Sequence, residues 1–410
     1  MSVVQGLNAV LPLLTFPYLI RVLGLSEFGL FNHALATMHF LVVLVDYGLT
    51  LTGTRDVAVH KSDKQALNKL FSTKWALQFV LMMLAFVLLL LVIAWLPAWQ
   101  RRPEVYLLAF LLIPANVLLP TWFFQGIQDF RTLAWLTFGN KLIYVVSVFL
   151  LIKDAHQLPL LMLLYGGCAL LAGLAGWLFL RLKVGIRFQW TGWKEVSLAF
   201  RTGWAVFISN FSVTLYSNSA LLFLGLFADA RSLGVFSVVE KVLLVFRLGL
   251  STLFSVIFPK VSQLAAEQLE SMKAFLRRIQ WLIALSILPA LLLLFFTAPL
   301  VVYLVTGSYD DKTTTLLRLC LPIPLFLGLN LPAYQALLAT HRQAWYARVM
   351  VVGALVGVSL NLLLAPMYFE TGTAISILAA EFIIVLGLLL GTEWRYPELR
   401  LWLPKPLNRP

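Results

Sequence analysis

The chain has 410 residues, of which 61% are hydrophobic and 12% are charged, and its net charge is +13. This composition excludes an ordinary soluble domain, because apolar runs of about 20 residues, the length that crosses a ~30 Å hydrocarbon core as a helix, recur along the chain. The runs are continuous rather than alternating with period two, which excludes a transmembrane β-barrel. The sequence therefore predicts an all-α polytopic membrane protein. We expect the positive charge to orient its helices and not to bind nucleic acid.

Twelve segments are long and apolar enough to be transmembrane helices, and residues 1–20 resemble a first span rather than a cleavable signal peptide. They cover residues 3–20, 28–51, 76–96, 105–124, 134–152, 158–180, 203–227, 232–258, 279–305, 319–338, 349–367 and 373–390. The connections after even-numbered spans, with the C-terminal tail, hold 21 Lys and Arg residues, whereas the opposite connections hold seven. Positive charge favours the cytoplasmic side, so both termini are predicted to be cytoplasmic.

The first two spans carry prolines and polar side chains at membrane depth. Pro12 and Pro17 each remove a backbone donor from span 1, so the helix is expected to bend there, either as a packing kink or where it lines a cavity. In span 2, His33 and His39 are interpreted as interior imidazoles with hydrogen-bond partners. Asp46 in the same span is a candidate proton or cation site.

A polar gap at residues 181–201 divides the chain. Before it, Gln125 follows span 4 and Lys141 lies within span 5. The gap contains "IRFQWTGWKEV", whose Trp190 and Trp193 suit a segment lying at the headgroup level. We predict two six-helix bundles, residues 1–185 and 186–410.

An internal repeat supports this division. "LGLSEFGLF" (23–31) and "ADARSLGVF" (228–236) each join the first two spans of their half. Both place a short polar turn before Gly-aliphatic-Phe at the start of the next helix. Two halves with the same internal order are an architecture of transporters.

The second half holds the most informative intramembrane charges. Span 8 contains Glu240, Lys241 and Arg247, and each charge would cost about 2.5–3.5 kcal/mol if it faced lipid at mid-membrane. Glu240 and Arg247 are two helical turns apart and share one face. Further polar candidates are Asn210 and Asn218 in span 7 and Glu381 in span 12.

Two interpretations of these charges stay open. Lys141, Lys241 and Arg247 would line a cationic cavity, or Glu240 would form a buried ion pair with Lys141 or Lys241 that locks helices together. The sequence has no P-loop, no paired-histidine metal motif and no nucleophile beside a histidine. We therefore expect no enzyme activity, cofactor or metal, and we interpret Cys168 and Cys320 as unpaired core residues.

Several stretches resemble the Wzx-type O-antigen flippases, the polysaccharide-transport branch of the multidrug/oligosaccharidyl-lipid/polysaccharide exporter superfamily. They are "LPLLTFPYLIRVLGLSEFGLF", "DYGLTLTGTRDVA", "PTWFFQGIQDFRTLAWLTFGNKLIYV", "GVFSVVEKV", "IFPKVSQ" and "NLLLAPMYFETGTAISILAAEF". They occur in the family's order and span nearly the whole chain. The positions that match the family's intramembrane charges are Lys141, Glu240 and Lys241, whereas Arg247 has no assigned counterpart.

The resemblance implies a flippase of the bacterial inner membrane that carries undecaprenyl-pyrophosphate-linked oligosaccharide. It implies two six-helix bundles arranged as a V, alternating access, and a proton or sodium gradient as the driving force. Expected partners are this substrate, membrane lipids, and a polysaccharide polymerase with its chain-length regulator. The alternatives are a cation-coupled drug antiporter of the same superfamily, which would favour an anionic cavity, and a membrane glycosyltransferase or polymerase, which would need large external loops.

Overall fold

In the computed structural model, every regular element among the described residues is a helix. The described residues are 2–401, with the side chains of residues 15–215 and 218–401. The first ten helices are α1 (Ser2–Asp46), α2 (Leu49–Val59), α3 (Lys64–Trp95), α4 (Pro97–Gln100), α5 (Pro103–Ala109), α6 (Leu112–Leu118), α7 (Thr121–Gly126), α8 (Phe130–Leu151), α9 (Leu158–Phe179) and α10 (Trp193–Phe227). The rest are α11 (Ala230–Glu267), α12 (Leu269–Thr306), α13 (Asp311–Cys320), α14 (Pro322–Ala339) and α15 (Gln343–Leu390). The all-α prediction is confirmed.

Within the described residues, nine helical segments are long and apolar enough to cross a membrane. A tenth is α10, which bends by 65° between Trp193–Leu215 and Asn218–Phe227. Two of the nine, Thr15–Val59 and Gln343–Arg395, are 45 and 53 residues long. A single crossing needs about 20 residues, so each of these two is long enough for two crossings.

The first of these long segments reverses direction at Gly24. The backbone there is non-helical, with φ 76° and ψ 169°, a conformation that glycine adopts without strain. The rings of Phe16 and Phe28 lie 6.3 Å apart between centroids. In a straight helix residues with this separation in sequence would be about 18 Å apart, so the chain forms a hairpin of two antiparallel helices.

The second long segment reverses at Phe369, whose φ of 49° and ψ of −127° leave the helical region. Thr373 Oγ1 donates a hydrogen bond of 2.9 Å to Asn361 Oδ1 across the hairpin. Farther from the turn, Trp345 Nε1 donates to the Gly387 carbonyl oxygen at 3.0 Å. With both reversals, the ten candidate segments of the described chain contain eleven of the predicted crossings, and most of the first, residues 3–20, lies before Thr15, outside the residues whose side chains are described.

Contacts between connections agree with twelve alternating crossings. Connections after odd-numbered spans meet each other, as in the ion pairs Arg102–Glu27 and Arg231–Asp310. Connections after even-numbered spans also meet each other, as in Lys69–Glu195. The alternation holds within each part of the chain, whereas the assignment of one side to the cytoplasm stays a prediction.

The chain divides into two compact units, residues 1–226 and residues 227–410, called the first and second unit below. The first unit includes nearly all of α10. Tyr47 at the turn between α1 and α2 stacks on Phe200 and Phe207 of α10, with ring centroids 4.8 Å away in both cases. The predicted boundary after residue 185 stays a prediction.

Aspartates in the connections determine where four helices begin. The Asp63, Asp129, Asp229 and Asp310 carboxylates accept backbone N–H groups in the first turns of α3, α8, α11 and α13. An N-cap of this kind contributes about 1 kcal/mol and satisfies donors that the helix itself leaves open. The caps therefore fix the register of these helices at the membrane boundary.

Candidate functional site

An open pocket of about 260 Å³, called the cavity below, lies in the first unit. Its polar lining comes from His39, Asn116, Thr121, Asn140 and Tyr165, and its apolar lining includes Met38. Amides, a hydroxyl, a phenol and an imidazole can each bond a neutral polar ligand. The cavity is therefore suited to uncharged hydroxyl or amide groups rather than to a bare anion.

Lys141 follows Asn140 on α8 and is half-buried. Its ammonium group is not among the groups that line the cavity. Lys141, the predicted cation, is therefore one residue after the cavity-lining Asn140 and lies about 100° around the helix from it.

Asp46 and Gln125 both bind α2. Asp46 Oδ1 accepts a hydrogen bond of 2.8 Å from Thr50 Oγ1, and its other carboxylate oxygen accepts from the Thr50 backbone N–H at 3.4 Å. Gln125 Oε1 accepts from Thr54 Oγ1 at 3.3 Å. Both side chains thus have structural contacts at the end of the second span, and their roles in transport stay predictions.

Asn210 and Asn218 lie on either side of the bend in α10. Both are half-buried, and the helix changes direction by 65° between Leu215 and Asn218. A bend opens part of the backbone hydrogen-bond ladder, so polar side chains beside it can serve the backbone as well as a ligand. Of the two bending prolines, Pro17 lies within helical backbone, and Pro12 lies outside the residues whose side chains are described.

In the second unit, Glu240 and Lys241 lie within ion-pair distance of each other on α11, and the predicted buried pair that locks helices together stays a prediction. Lys241 Nζ lies 3.6 Å from Glu240 Oε2, and the side chains are 22% and 31% exposed, respectively. The two residues are neighbours in sequence and differ by about 100° around α11. The pair is partly solvated and does not link two helices.

Arg247 lies two turns farther along α11 on the same face as Glu240. It is half-buried, and its Nε is buried without a hydrogen-bond partner among the described groups. A buried guanidinium donor without an acceptor is costly unless a ligand or water supplies the acceptor. Arg247 thus keeps one buried donor open, and its role as an anion-binding cation stays a prediction.

Glu381 of α15 is buried, with 4% of its surface exposed. Sequence reasoning missed a second buried carboxylate, Glu370, which is 1% exposed. Glu370 Oε1 lies 2.6 Å from Lys312 Nζ. The sequence placed Glu370 in a connection between two spans, and only the hairpin at Phe369 shows that its side chain is buried there.

Ion pairs also form at the connections that follow odd-numbered spans. Arg102 lies 3.1 Å from Glu27 and 2.6 Å from Glu104. The hydrogen bond to Glu104, together with the charge of Glu27, raises the pKa of the Arg102 guanidinium. In the second unit, Arg231 lies 3.4 Å from Asp310.

A family model described as "Polysaccharide biosynthesis protein" matches residues 1–265. The chain belongs to this family. The resemblance to the polysaccharide branch of the exporter superfamily is thereby confirmed, and polysaccharide biosynthesis proteins of this kind are transporters rather than enzymes.

Two curated relatives cover nearly the full length. A protein of Escherichia coli (strain K12) named "Putative O-antigen transporter" is 26% identical over 94% of this chain and 93% of its own. A protein of Shigella dysenteriae with the same name is 22% identical over 95% of this chain and 98% of its own.

Solved structures show the same fold. A structure described as lipid II flippase MurJ in an inward closed conformation has a TM-score of 0.72 at 13% identity, covering 96% of this chain and 87% of that one. An inward-facing multidrug resistance MATE family transporter has a TM-score of 0.66 at 14% identity, covering 95% and 98%. At these identities the likeness concerns the fold alone.

Proposed function

We propose that this polysaccharide transporter is a flippase that moves undecaprenyl-pyrophosphate-linked oligosaccharide across the bacterial inner membrane by alternating access. The observation that carries the proposal is Arg247, a half-buried arginine of a membrane-spanning helix whose Nε is a buried donor without a partner among the described groups. The near-full-length relatives named as O-antigen transporters support the choice of substrate class.

The substrate combines an anion with neutral sugars. Moving a pyrophosphate through hydrocarbon without a counter-charge is prohibitive, and buried cations offset its lost hydration. Arg247 is the principal contact, Lys141 and Lys241 add positive charge, and Glu240 balances part of it. The polyprenyl chain stays in the bilayer while the headgroup crosses.

The sugars need hydrogen-bonding groups rather than charges. Asn210, Asn218 and Gln125 supply amides, and the neutral polar cavity beside His39 and Asn140 offers a further place for a sugar ring. An anionic cavity suited to cationic drugs would need more carboxylates than this lining provides.

Transport is coupled to an ion gradient in this proposal. Asp46 and Glu381 are the proposed proton or sodium sites, since each is a carboxylate at membrane depth. In this proposal both termini lie in the cytoplasm, which the excess of Lys and Arg after even-numbered spans supports. A polysaccharide polymerase and its chain-length regulator would receive the transported unit on the opposite face.

Deletion of the gene tests the proposal in cells. We expect lipid-linked repeat units to accumulate on the cytoplasmic leaflet and surface polysaccharide to fall by at least tenfold. Complementation with Arg247→Ala should fail, whereas Arg277→Ala, an exposed arginine of α12, should restore export. Normal surface polysaccharide in a deletion strain with no other flippase would contradict the proposal.

A further inference from the structure

Four aromatic rings from three helices stack in a row in the second unit, and this row is called the aromatic ladder below. Phe254 of α11 lies between Phe258 and Tyr334, with ring centroids 5.4 Å and 5.0 Å away. Tyr334 of α14 continues to Tyr346 of α15 at 4.2 Å. The successive ring planes differ by only 14°, 17° and 26°.

The ladder is more open than the stacked aromatic pairs of the interior. Trp99 and Tyr106 in the first unit also stack, with centroids 4.1 Å apart and planes 9° apart, but each is only 2% exposed. The ladder rings are nearly parallel, and all four are half-buried. Because stacked rings cover much of each other's faces, the ladder offers a flat ligand its ring edges and the outer faces of its end rings, Phe258 and Tyr346.

The ladder continues the charged face of α11. Glu240, Arg247 and Phe254 are spaced by seven residues each, so they share one face of the helix. Phe254 lies about 10 Å along the axis from Arg247. The Gln335 amide donates to the Phe254 carbonyl oxygen at 3.2 Å, which fixes α14 against this part of α11.

This order of groups matches the order of groups in a lipid-linked saccharide. The pyrophosphate is bonded directly to the first sugar, so a saccharide whose anion is at Arg247 reaches the ladder with its first rings. A pyranose ring presents a face of C–H groups that packs on aromatic faces, while the Tyr334 and Tyr346 hydroxyls can bond its hydroxyl groups.

We propose that Phe254, Phe258, Tyr334 and Tyr346 form a stacking platform for the saccharide rings of the substrate. The inference rests on the proposed function and names a subsite within it. Arg247 binds the anion, and the ladder binds the neutral sugars next to it.

Two probes separate the two parts in the purified full-length protein in nanodiscs. The first probe is the free repeat-unit oligosaccharide, which has no pyrophosphate, and the second is undecaprenyl pyrophosphate, which has no sugar. We expect Phe254→Ala and Tyr346→Ala to weaken binding of the oligosaccharide about tenfold, or about 1.4 kcal/mol. Their affinity for undecaprenyl pyrophosphate should stay within twofold, and Arg247→Ala should show the reverse pattern.

Matched controls remove rings elsewhere in the same unit. Phe296 is 69% exposed, and Tyr309 stacks on Tyr303 at 4.8 Å outside the ladder. Phe296→Ala and Tyr309→Ala should bind both probes like the wild type, as should Tyr346→Phe, which keeps the ring.

The outcomes distinguish this inference from the proposed function. Unchanged oligosaccharide affinity in both ladder variants would overturn the platform, and so would loss of both probes, because ring removal would then act through the fold. Absence of undecaprenyl pyrophosphate binding to the wild type would refute the proposed function, and oligosaccharide binding that still depends on the ladder would leave the platform standing.

Discussion

In both units an ion pair joins the connection after the first span to the connection after the third span of the half, but the acidic and basic residues are exchanged between the two pairs. In the first unit, Glu27 after span 1 meets Arg102 after span 3 at 3.1 Å. In the second unit, Arg231 after span 7 meets Asp310 after span 9 at 3.4 Å. The acid and the base have exchanged positions between the repeats. What the two halves share is therefore the contact between connections and not the residue types that make it.

The two predicted halves also end in the same way. After span 6 and after span 12, a π-helical turn (Leu180–Val184 and Gly391–Arg395, respectively) is followed by a segment that hydrogen-bonds to the third span of the same half. Asn68 Oδ1 of α3 accepts from the Arg187 backbone N–H at 3.0 Å, and Lys273 Nζ of α12 donates to the Glu398 carbonyl oxygen at 3.0 Å. Different side chains again maintain the same arrangement.

Among substitutions that test this comparison, we expect the largest loss of stability at Lys312, which lies close to the ion pair between the connections of the second unit. Lys312→Ala leaves the carboxylate of Glu370, whose side chain is 2% exposed, without its cation. Because Lys312 is itself 50% exposed, the cost is that of leaving one buried carboxylate without its partner, about 1–3 kcal/mol. We expect a clear loss of thermal stability of the detergent-solubilised protein, with Lys312→Arg as the control that keeps the charge. A melting temperature unchanged by Lys312→Ala would contradict this account.

Asp310 both forms an ion pair and caps a helix, so a pair of substitutions at this position can separate the contribution of the charge from that of the cap. Asp310 Oδ1 accepts the Lys312 and Thr313 backbone N–H groups at 3.0 Å and 3.3 Å. Asp310→Ala should destabilise the protein by about 1–2 kcal/mol, whereas Asp310→Asn keeps a capping oxygen and should cost less. Equal loss of stability in both variants, measured by thermal unfolding, would assign the effect to the charge instead.

The ion pairs between connections should themselves contribute little. Arg102 and Glu27 are 34% and 26% exposed, and pairs with this much solvent contact contribute about 0–1 kcal/mol. A double-mutant cycle of Glu27→Gln with Arg102→Met, and another of Arg231→Met with Asp310→Asn, should both give coupling energies below about 1 kcal/mol. A coupling several times larger in one unit would show that the repeats are not energetically equivalent.

The smallest effect concerns pH. The Ser232 backbone N–H, with the nearby Lys312 and Arg231 charges, holds the pKa of Asp229 below its usual value of 3.8. A lowered pKa means that the stabilisation is present above pH 3.8 and is lost as pH falls through the folded-state value. Thermal stability measured between pH 5 and 3 should therefore fall less steeply in Asp229→Asn. An identical slope in both proteins would count against the cap.

Much of the fold could be predicted from the sequence, because the lengths of the apolar runs identify the membrane spans. The twelve spans were predicted from run lengths, and the hairpin at Gly24 lies where the polar turn "LGLSEFG" was identified. The stretches that resemble the family include a close helix crossing, since Gly53 of α2 leaves room for the ring of Trp122 and Gly126 of α7 for Val57. These residues are needed for helix packing. The family resemblance that includes them could therefore be identified from the sequence without any information about a ligand.

The site was less predictable because it depends on tertiary contacts. The sequence identified Arg247 from its charge within an apolar run. The aromatic ladder joins residues of three helices, and Phe258, Phe254 and Tyr346 are ordinary aromatic positions in a membrane protein. Glu370 was missed because a connection between spans is expected to be solvated, whereas the sharp reversal at Phe369 buries it.

Reconstituted transport tests the central claim most directly. Proteoliposomes containing the full chain and fluorescent undecaprenyl-pyrophosphate-linked oligosaccharide would be probed with a membrane-impermeant quencher. We expect wild-type protein to move the headgroup between leaflets, Arg277→Ala to do so at a similar rate, and Arg247→Ala to be at least tenfold slower. Wild-type protein that leaves the headgroup in its original leaflet under an imposed proton or sodium gradient, or an Arg247→Ala variant with full activity, would contradict the account.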